Sequence, residues 1–344
     1  MSIDTGAVVM SAAIHEGRLT DVHVQSRRPD IGAALCGQSS VVAATTIAMI
    51  YSICSKAHAA ASRAALLAAG DPAQAIVGRS IDAPTAAEAV RELLFAVLTG
   101  ECKGCLVSAQ RCHQDPGALR SLFEGGLLGM PAEMWLAMSA AQFAAWVSES
   151  ISPLARESRR RSQLAEPPDA KAAFLPPLDV QNSIAGFGAA DPAFAQQPVW
   201  MGRPAETGSL ARQQRLELLA PLQSQPWLAR WTARLAELLI YATGDARQML
   251  GRLDSGGLGS RTGRALIETA RGVLVHEVRL RGNTIERYSI VAPTEWNFHP
   301  QGPVPDWLEG RPACDESDAK DWMQRAAESL DPCVRCELRV SAST

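Results

Sequence analysis

Apolar and polar residues alternate from Val8 to Val24 on both sides of Glu16-Gly17-Arg18, a period of two that predicts a short hairpin. Residues 40–69 are dense in Ala, Ile and Met with no Gly or Pro, and read as one buried helix. Ala89, Val90, Leu93, Leu94 and Val97 share one face of a helix over 86–98. Another is expected over 132–147, with Trp135, Met138, Phe143 and Trp146 as core candidates. Between 162 and 207 the period breaks at Pro167-Pro168, Pro176-Pro177, Pro192, Pro198 and Pro204, which predicts a long irregular loop. Helical spacing resumes over 210–250, with a break at Gln225-Pro226. A second hairpin is expected over 272–293, turning at Arg281-Gly282-Asn283-Thr284. A last helix over 319–330, capped by Asp318 or Ser317, ends at Asp331-Pro332, since the residue before proline disfavours helical dihedrals. The pattern predicts a mainly α (α+β) fold: one domain over 1–344, a helical core and short β-hairpins.

Composition narrows the function classes. Hydrophobic residues make up 47% and charged residues 20% of the 344, a globular balance. A formal net charge of −3 provides no overall field for nucleic acid or an anionic membrane, so neither is an expected partner. The first residues lack the basic and apolar regions of an export signal, and 41–51 is too short to span a bilayer. The expected location is the cytoplasm, where the eight cysteines stay reduced and point to metal or redox chemistry.

The cysteines fall into three groups. Cys54 and His58 are four apart on a predicted helix and face the same way. Cys102-Lys-Gly-Cys105 precedes Cys112-His113, and Cys333-Val-Arg-Cys336 lies near the end of the sequence. A CxxC pair suits one soft metal ion, with a redox pair or two inert thiols as competing readings.

The surroundings of the last pair carry a resemblance. Asp331-Pro332-Cys333-Val334-Arg335-Cys336, followed by Arg339, resembles the DPCxxCxxH/R signature of nickel–iron hydrogenase large subunits. Ile53-Cys54-Ser55-Lys56-Ala57-His58 is similar to the second half of that family's RxCxxCxxxH motif. Glu16-Gly17-Arg18-Leu19, Glu268-Thr269-Ala270-Arg271-Gly272 with His276, and Pro293-Thr294-Glu295-Trp296-Asn297 resemble three further blocks in the same order. The central part has no match and is much reduced.

In those enzymes four thiolates hold nickel and iron, the second cysteine of each pair bridging both metals. The resemblance puts the bridging positions at Cys54 and Cys336 and a nickel-only position at Cys333, while the other nickel-only position is Tyr51. A phenol of ordinary pKa about 10 is a poor nickel ligand at neutral pH. Arg271 and Thr294 keep the groups that hydrogen-bond the iron's cyanides, whereas the Arg of RxC is Met49 and the Pro before the Arg is Ala270. The short stretch after Arg339 lacks the extension that a maturation protease removes, so no processing is expected.

This pattern resembles the HupK/HoxV-type accessory proteins. It implies a non-enzymatic scaffold that transiently carries an Fe(CN)2(CO) unit without nickel. The partners so implied are a hydrogenase large-subunit precursor and a HypC/HypD-type maturation complex. A chaperone without metal cargo and a divergent hydrogenase-like oxidoreductase are the alternatives. Cys54, Cys336 and Cys333 are the expected ligands, with Cys336 ahead of Cys333. His58 is expected to support them by hydrogen bonding, and Arg271 to contact cyanide, Asp331 or both. Glu16 takes the place of the proton-relay glutamate, or else caps local structure. Cys102, Cys105, Cys112 and His113 match no block, and adjacency makes Cys112 and His113 diverge on a helix.

Overall fold

The computed structural model describes residues 6–70, 80–168 and 173–342. The first alternating stretch forms the antiparallel pair β1 (Ala7–His15) and β2 (Arg18–Arg27), turned by left-handed backbone at Glu16 and Gly17. On the other side of β1 runs β10 (Arg335–Ala342), parallel to it, with Cys336 opposite Val8. A single sheet therefore joins sequence from both ends. The Glu316–Leu330 helix packs against it around Val8, Met10, Leu19, Met323 and Leu330. Asp315, rather than Asp318 or Ser317, caps this helix by accepting the Asp318 N–H at 3.0 Å.

The run expected as one buried helix over 40–69 is two helices, Ser40–Ile50 and Ser55–Gly70. Neither Gly nor Pro marks the break. Glu88, on the Ala83–Val97 helix, makes it by accepting the Lys56 and Ala57 N–H groups and the Ser55 hydroxyl. A tertiary contact thus satisfies the free amides of a helix start that local sequence does not announce. Only the second helix is buried. On the first, Val41 is 71% and Met49 73% exposed.

Ala57, Ala60, Ala61, Ala64 and Ala65 of the second helix lie in one core with a five-stranded sheet. Its strands are β3 (Ser80–Ile81), β6 (Arg252–Gly257), β7 (Thr262–Thr269), β8 (Gly272–Arg281) and β9 (Thr284–Val291), in that spatial order. The approach is close enough that a Cβ on Gly263 would meet the Ala65 carbonyl oxygen at 2.2 Å. β8 and β9 are the expected second hairpin. β6 and β7 were not legible as strands, because β7 is buried along most of its length and does not alternate.

The stretch 162–207 is not one long irregular loop. It contains two two-residue strands, β4 (Ala173–Phe174) and β5 (Ala205–Glu206), paired in parallel, and the helices Val180–Phe187 and Pro192–Gln196. Asp179 and Asp191 cap the helices, so short elements begin where the proline pattern suggested none. The helix expected over 132–147 likewise divides into Ala132–Leu136 and Ala140–Glu149, restarted by a Ser139 capping box. Trp135, Phe143 and Trp146 pack as expected in a helical core with the Pro226–Thr243 helix. Helix predominates over small sheets, which is the expected α+β class. Among the described residues, no helix is long and apolar enough to cross a membrane.

Candidate metal centre

Four segments converge on one point: the 51–54 break, the turn around Arg271 between β7 and β8, the Pro293–Asn297 helix, and the linker at 331–334. Cys54 and Cys333 meet there and hydrogen-bond each other. Cys333 also lies 3.2 Å from Thr294 Oγ1. That oxygen accepts the Cys333 N–H at 3.3 Å, which leaves its own proton free to donate to the sulfur.

Two largely covered arginines, each with a side chain 12% exposed, flank the sulfurs. Arg28 Nη1 lies 3.3 Å from Glu295, and Arg28 shares a cavity of about 50 Å³ with Tyr51, Cys54 and Cys333. Arg271 donates through Nε to the Asp331 carbonyl at 2.7 Å, pairs with the Asp331 carboxylate at 3.2 Å, and binds Glu92. The hydrogen bond from Cys54 holds the Cys333 thiol well below its ordinary pKa, against burial and with help from Arg28, Thr294 and Arg271. Cys54, which supplies that hydrogen bond and is itself buried, is pushed well up. The two thiols are thus displaced in opposite directions, Cys333 towards the thiolate and Cys54 towards the protonated donor. Burial works against the charge on both arginines, but the anions around them outweigh it and raise both. Burial pushes Glu92 and Glu295 up to about 7.

Behind the sulfurs runs an aromatic chain. Tyr51 stacks on His58 with centroids 3.5 Å apart. His58 Nδ1 is 2.9 Å from His276 Nε2, and His276 Nδ1 is 2.8 Å from the Tyr288 hydroxyl. Burial takes His276 down to about 3 and, together with His276, lowers His58, so both rings are neutral. Burial also raises the Tyr51 phenol, which keeps its proton at neutral pH. His58 therefore does its hydrogen bonding with His276, and orients Tyr51 by stacking.

Besides His58, which bonds His276 rather than a sulfur, two expectations need correction. Cys336 is not the sulfur beside Cys54. Pairing with β1 holds it opposite Val8 against the core of the three-stranded sheet, outside the cavity that Cys54 and Cys333 line. Burial and Asp331 push its thiol up to about 11. Glu16 is at the exposed tip of the first hairpin, with its carboxylate 4.0 Å from His15, and takes no part in the site. Arg271 makes the Asp331 contact expected of it and binds Glu92 as well, and the cation sharing the small cavity with the sulfurs is Arg28.

Arg28, Glu92 and Glu295 carry much of the site's charge, and sequence reasoning passed over all three in that role. Arg28 and Glu92 lie outside the matched blocks, while Glu295 lies inside one without being singled out. The one available signal was the loss of the family arginine at exposed Met49, which implies a cation from elsewhere. The second sulfur-rich segment gathers no site. Cys102 is buried in the helical core, Cys112 donates to the Ser108 carbonyl, and His113 bonds the Gln110 carbonyl at 2.7 Å. Among the described residues, no group of three or more His, Cys, Asp and Glu is arranged to hold a metal ion.

Comparison with known proteins gives the chain's relatives and its fold. Residues 227–339 match the family model for nickel-dependent hydrogenase. The hydrogenase expression/formation protein HoxV of Cupriavidus necator is 29% identical, over 90% of this chain and 91% of its own length. HupK of Bradyrhizobium diazoefficiens, described in the same words, is 28% identical over 93% and 92%. This chain is a homologue of the HoxV/HupK/HupV proteins. Its fold is that of nickel–iron hydrogenase large subunits. The reduced Ni-Fe-Se hydrogenase of D. vulgaris Hildenborough superposes with a TM-score of 0.53 at 16% identity, covering 93% of this chain and 94% of that one. The reduced, active enzyme of Desulfomicrobium baculatum gives 0.55 at 15%, covering 94% and 95%.

Proposed function

We propose that this chain is a non-catalytic scaffold of hydrogenase maturation. It takes up an Fe(CN)2(CO) unit on Cys54 and Cys333 and passes it to a hydrogenase large-subunit precursor. The names of its relatives support a role in maturation. The metal part rests on one observation: Cys54 and Cys333 meet in one small cavity beside Arg28 and Thr294, with the protonated phenol of Tyr51 where the enzymes have another thiolate.

Two thiolates are soft anionic donors suited to iron that already carries its small ligands. Holding the unit on both sulfurs requires Cys54 to give up the proton it shares with Cys333. The Arg28 guanidinium and the Thr294 hydroxyl then face anionic nitrogens as donors, which fixes orientation and charge. Arg271 anchors the 331–334 linker through Asp331 and Glu92. Tyr51 offers nickel no thiolate, so no nickel is expected. Two protein ligands hold a metal less tightly than four, and cargo held this way stays transferable. A HypC/HypD-type complex is the proposed donor.

The test is anaerobic purification from cells with an intact maturation system, with infrared spectra of the CO and CN stretching region and iron analysis on one sample. Bands in that region with iron and without nickel are expected. Their absence, or maturation undiminished by Cys54→Ala and Cys333→Ala, would leave a chaperone without metal cargo.

A further inference from the structure

A cavity of about 930 Å³ opens beside the metal site, sharing Ser52 and Ile53 with the small cavity of the sulfurs. Six arginines and four carboxylates line it. The carboxylates are already engaged: Glu92 and Asp331 by Arg271, Glu166 by the Trp227 and Leu228 N–H groups, Glu328 by Gln324. Three of the arginines form no ion pair within 4.0 Å among the described residues, although Asp331 and Glu206 act on Arg234 and Arg325 acts on Glu166 from further away. Arg91 makes no side-chain hydrogen bond or ion pair there, Arg234 donates to the Glu328 and Ser329 carbonyls, and Arg325 donates to the Ala165 carbonyl at 3.5 Å and lies over the Trp322 ring, 5.9 Å from its centroid.

A second cavity, of about 550 Å³, continues the first across Ser52 and Arg91 and is lined by Lys56, whose ammonium also forms no ion pair among the described residues. The Ala83–Val97 helix forms one wall of both, from Ala83 to Ala96. At 1.5 Å per residue that wall is about 20 Å long, the reach of about six extended residues. Phe95, 56% exposed, and Ile53 supply apolar surface between the cations.

The geometry points to a docking trough for an extended acidic segment of a partner protein, about six residues long, bearing carboxylates around an apolar side chain. A small anion fits one cation cluster, whereas the two joined cavities hold Lys56, Arg91 and Arg325 in their linings together with the aromatic Phe95. Seated there, the segment lies against Ser52 and Ile53, at the rim of the Cys54–Cys333 cavity. The trough's chemistry is independent of the metal. Only the partner's identity as a maturation protein rests on the function proposed above.

The probe is a fluorescein-labelled octapeptide of glutamates with one central Phe, measured by anisotropy on the full chain at low and high salt. A copy with Lys in place of every Glu is the control. The acidic peptide is expected to bind, to weaken with salt, and to lose at least tenfold in affinity in Arg91→Glu/Arg325→Glu. Lys56→Glu is expected to cost about threefold, since single exposed ion pairs are each worth less than about 1 kcal/mol. A thermal melt of each variant confirms folding, with Arg91→Ala as the milder substitution. Equal binding of the Lys copy, full affinity in the double variant, or displacement by free glutarate at equal concentration would overturn the trough. Cys54→Ala/Cys333→Ala is expected to bind the peptide normally. That variant therefore separates failure of the trough from failure of the metal reading.

Discussion

The 102–113 segment holds three cysteines and a histidine within twelve residues, yet it binds its polar atoms to its own backbone and packs the rest in the helical core. The other sulfur region contributes one cysteine from each end of the sequence and pushes one of them towards the thiolate. The difference is a hydrogen bond and charge. Cys333 accepts from Cys54 and sits near two guanidiniums and a hydroxyl, whereas Cys102 and Cys105 join an apolar cluster. Density of potential ligands along a chain therefore says less about chemistry than the cations that the fold delivers to a sulfur.

The comparison breaks most sharply under substitution. Cys54→Ala or Cys333→Ala should lower the iron recovered with the protein at least tenfold, while Cys105→Ala and Cys112→Ala leave it unchanged, as read by metal analysis of anaerobic preparations. Loss of iron in the second pair would abolish the distinction. Next in size is Arg28→Met. It strands a buried anion at Glu295 or Cys333, and should cost about 3 kcal/mol in urea unfolding, the scale for removing one partner of a buried pair. It should also move alkylation of the Cys54–Cys333 pair to higher pH, a readout that a merely structural arginine would not shift.

The buried histidines sharpen the comparison through pH. His276 falls from an ordinary 6.5 to about 3 on folding, so the unfolded chain binds more protons between those values. Its contribution is complete above pH 6.5 and is lost as pH falls toward 3, at about 1.4 kcal/mol per pH unit. His58, also lowered, adds in the same direction. Denaturant titrations from pH 7 to 4 should show this slope, and His276→Gln should flatten it. The smallest effect belongs to the helical core. Cys102→Ala, which removes one buried sulfur, should cost about 1 kcal/mol and leave the iron content alone.

The fold was legible where the period was clean. The first hairpin, the Ala83–Val97 helix and the β8–β9 pair follow directly from alternation and spacing. It was not legible where a distant group makes the boundary, as when Glu88 starts the helix at Ser55 or when burial of β7 erases its alternation. The site divides in the same way. Cys54, Cys333, Thr294, Arg271 and Asp331 stand in motifs and meet in space. Arg28 arrives from beyond the first hairpin with no motif around it, and nothing in the CxxC spacing reveals that β10 pairing draws Cys336 away.

Sulfur coordination at the iron K-edge tests the central claim most directly, measured on the iron-loaded chain and its single cysteine variants. The expected result is two sulfurs per iron in the unsubstituted chain and in Cys336→Ala, with a loss of sulfur or of iron itself in Cys54→Ala and Cys333→Ala. Two sulfurs retained in Cys333→Ala and lost in Cys336→Ala would contradict the account.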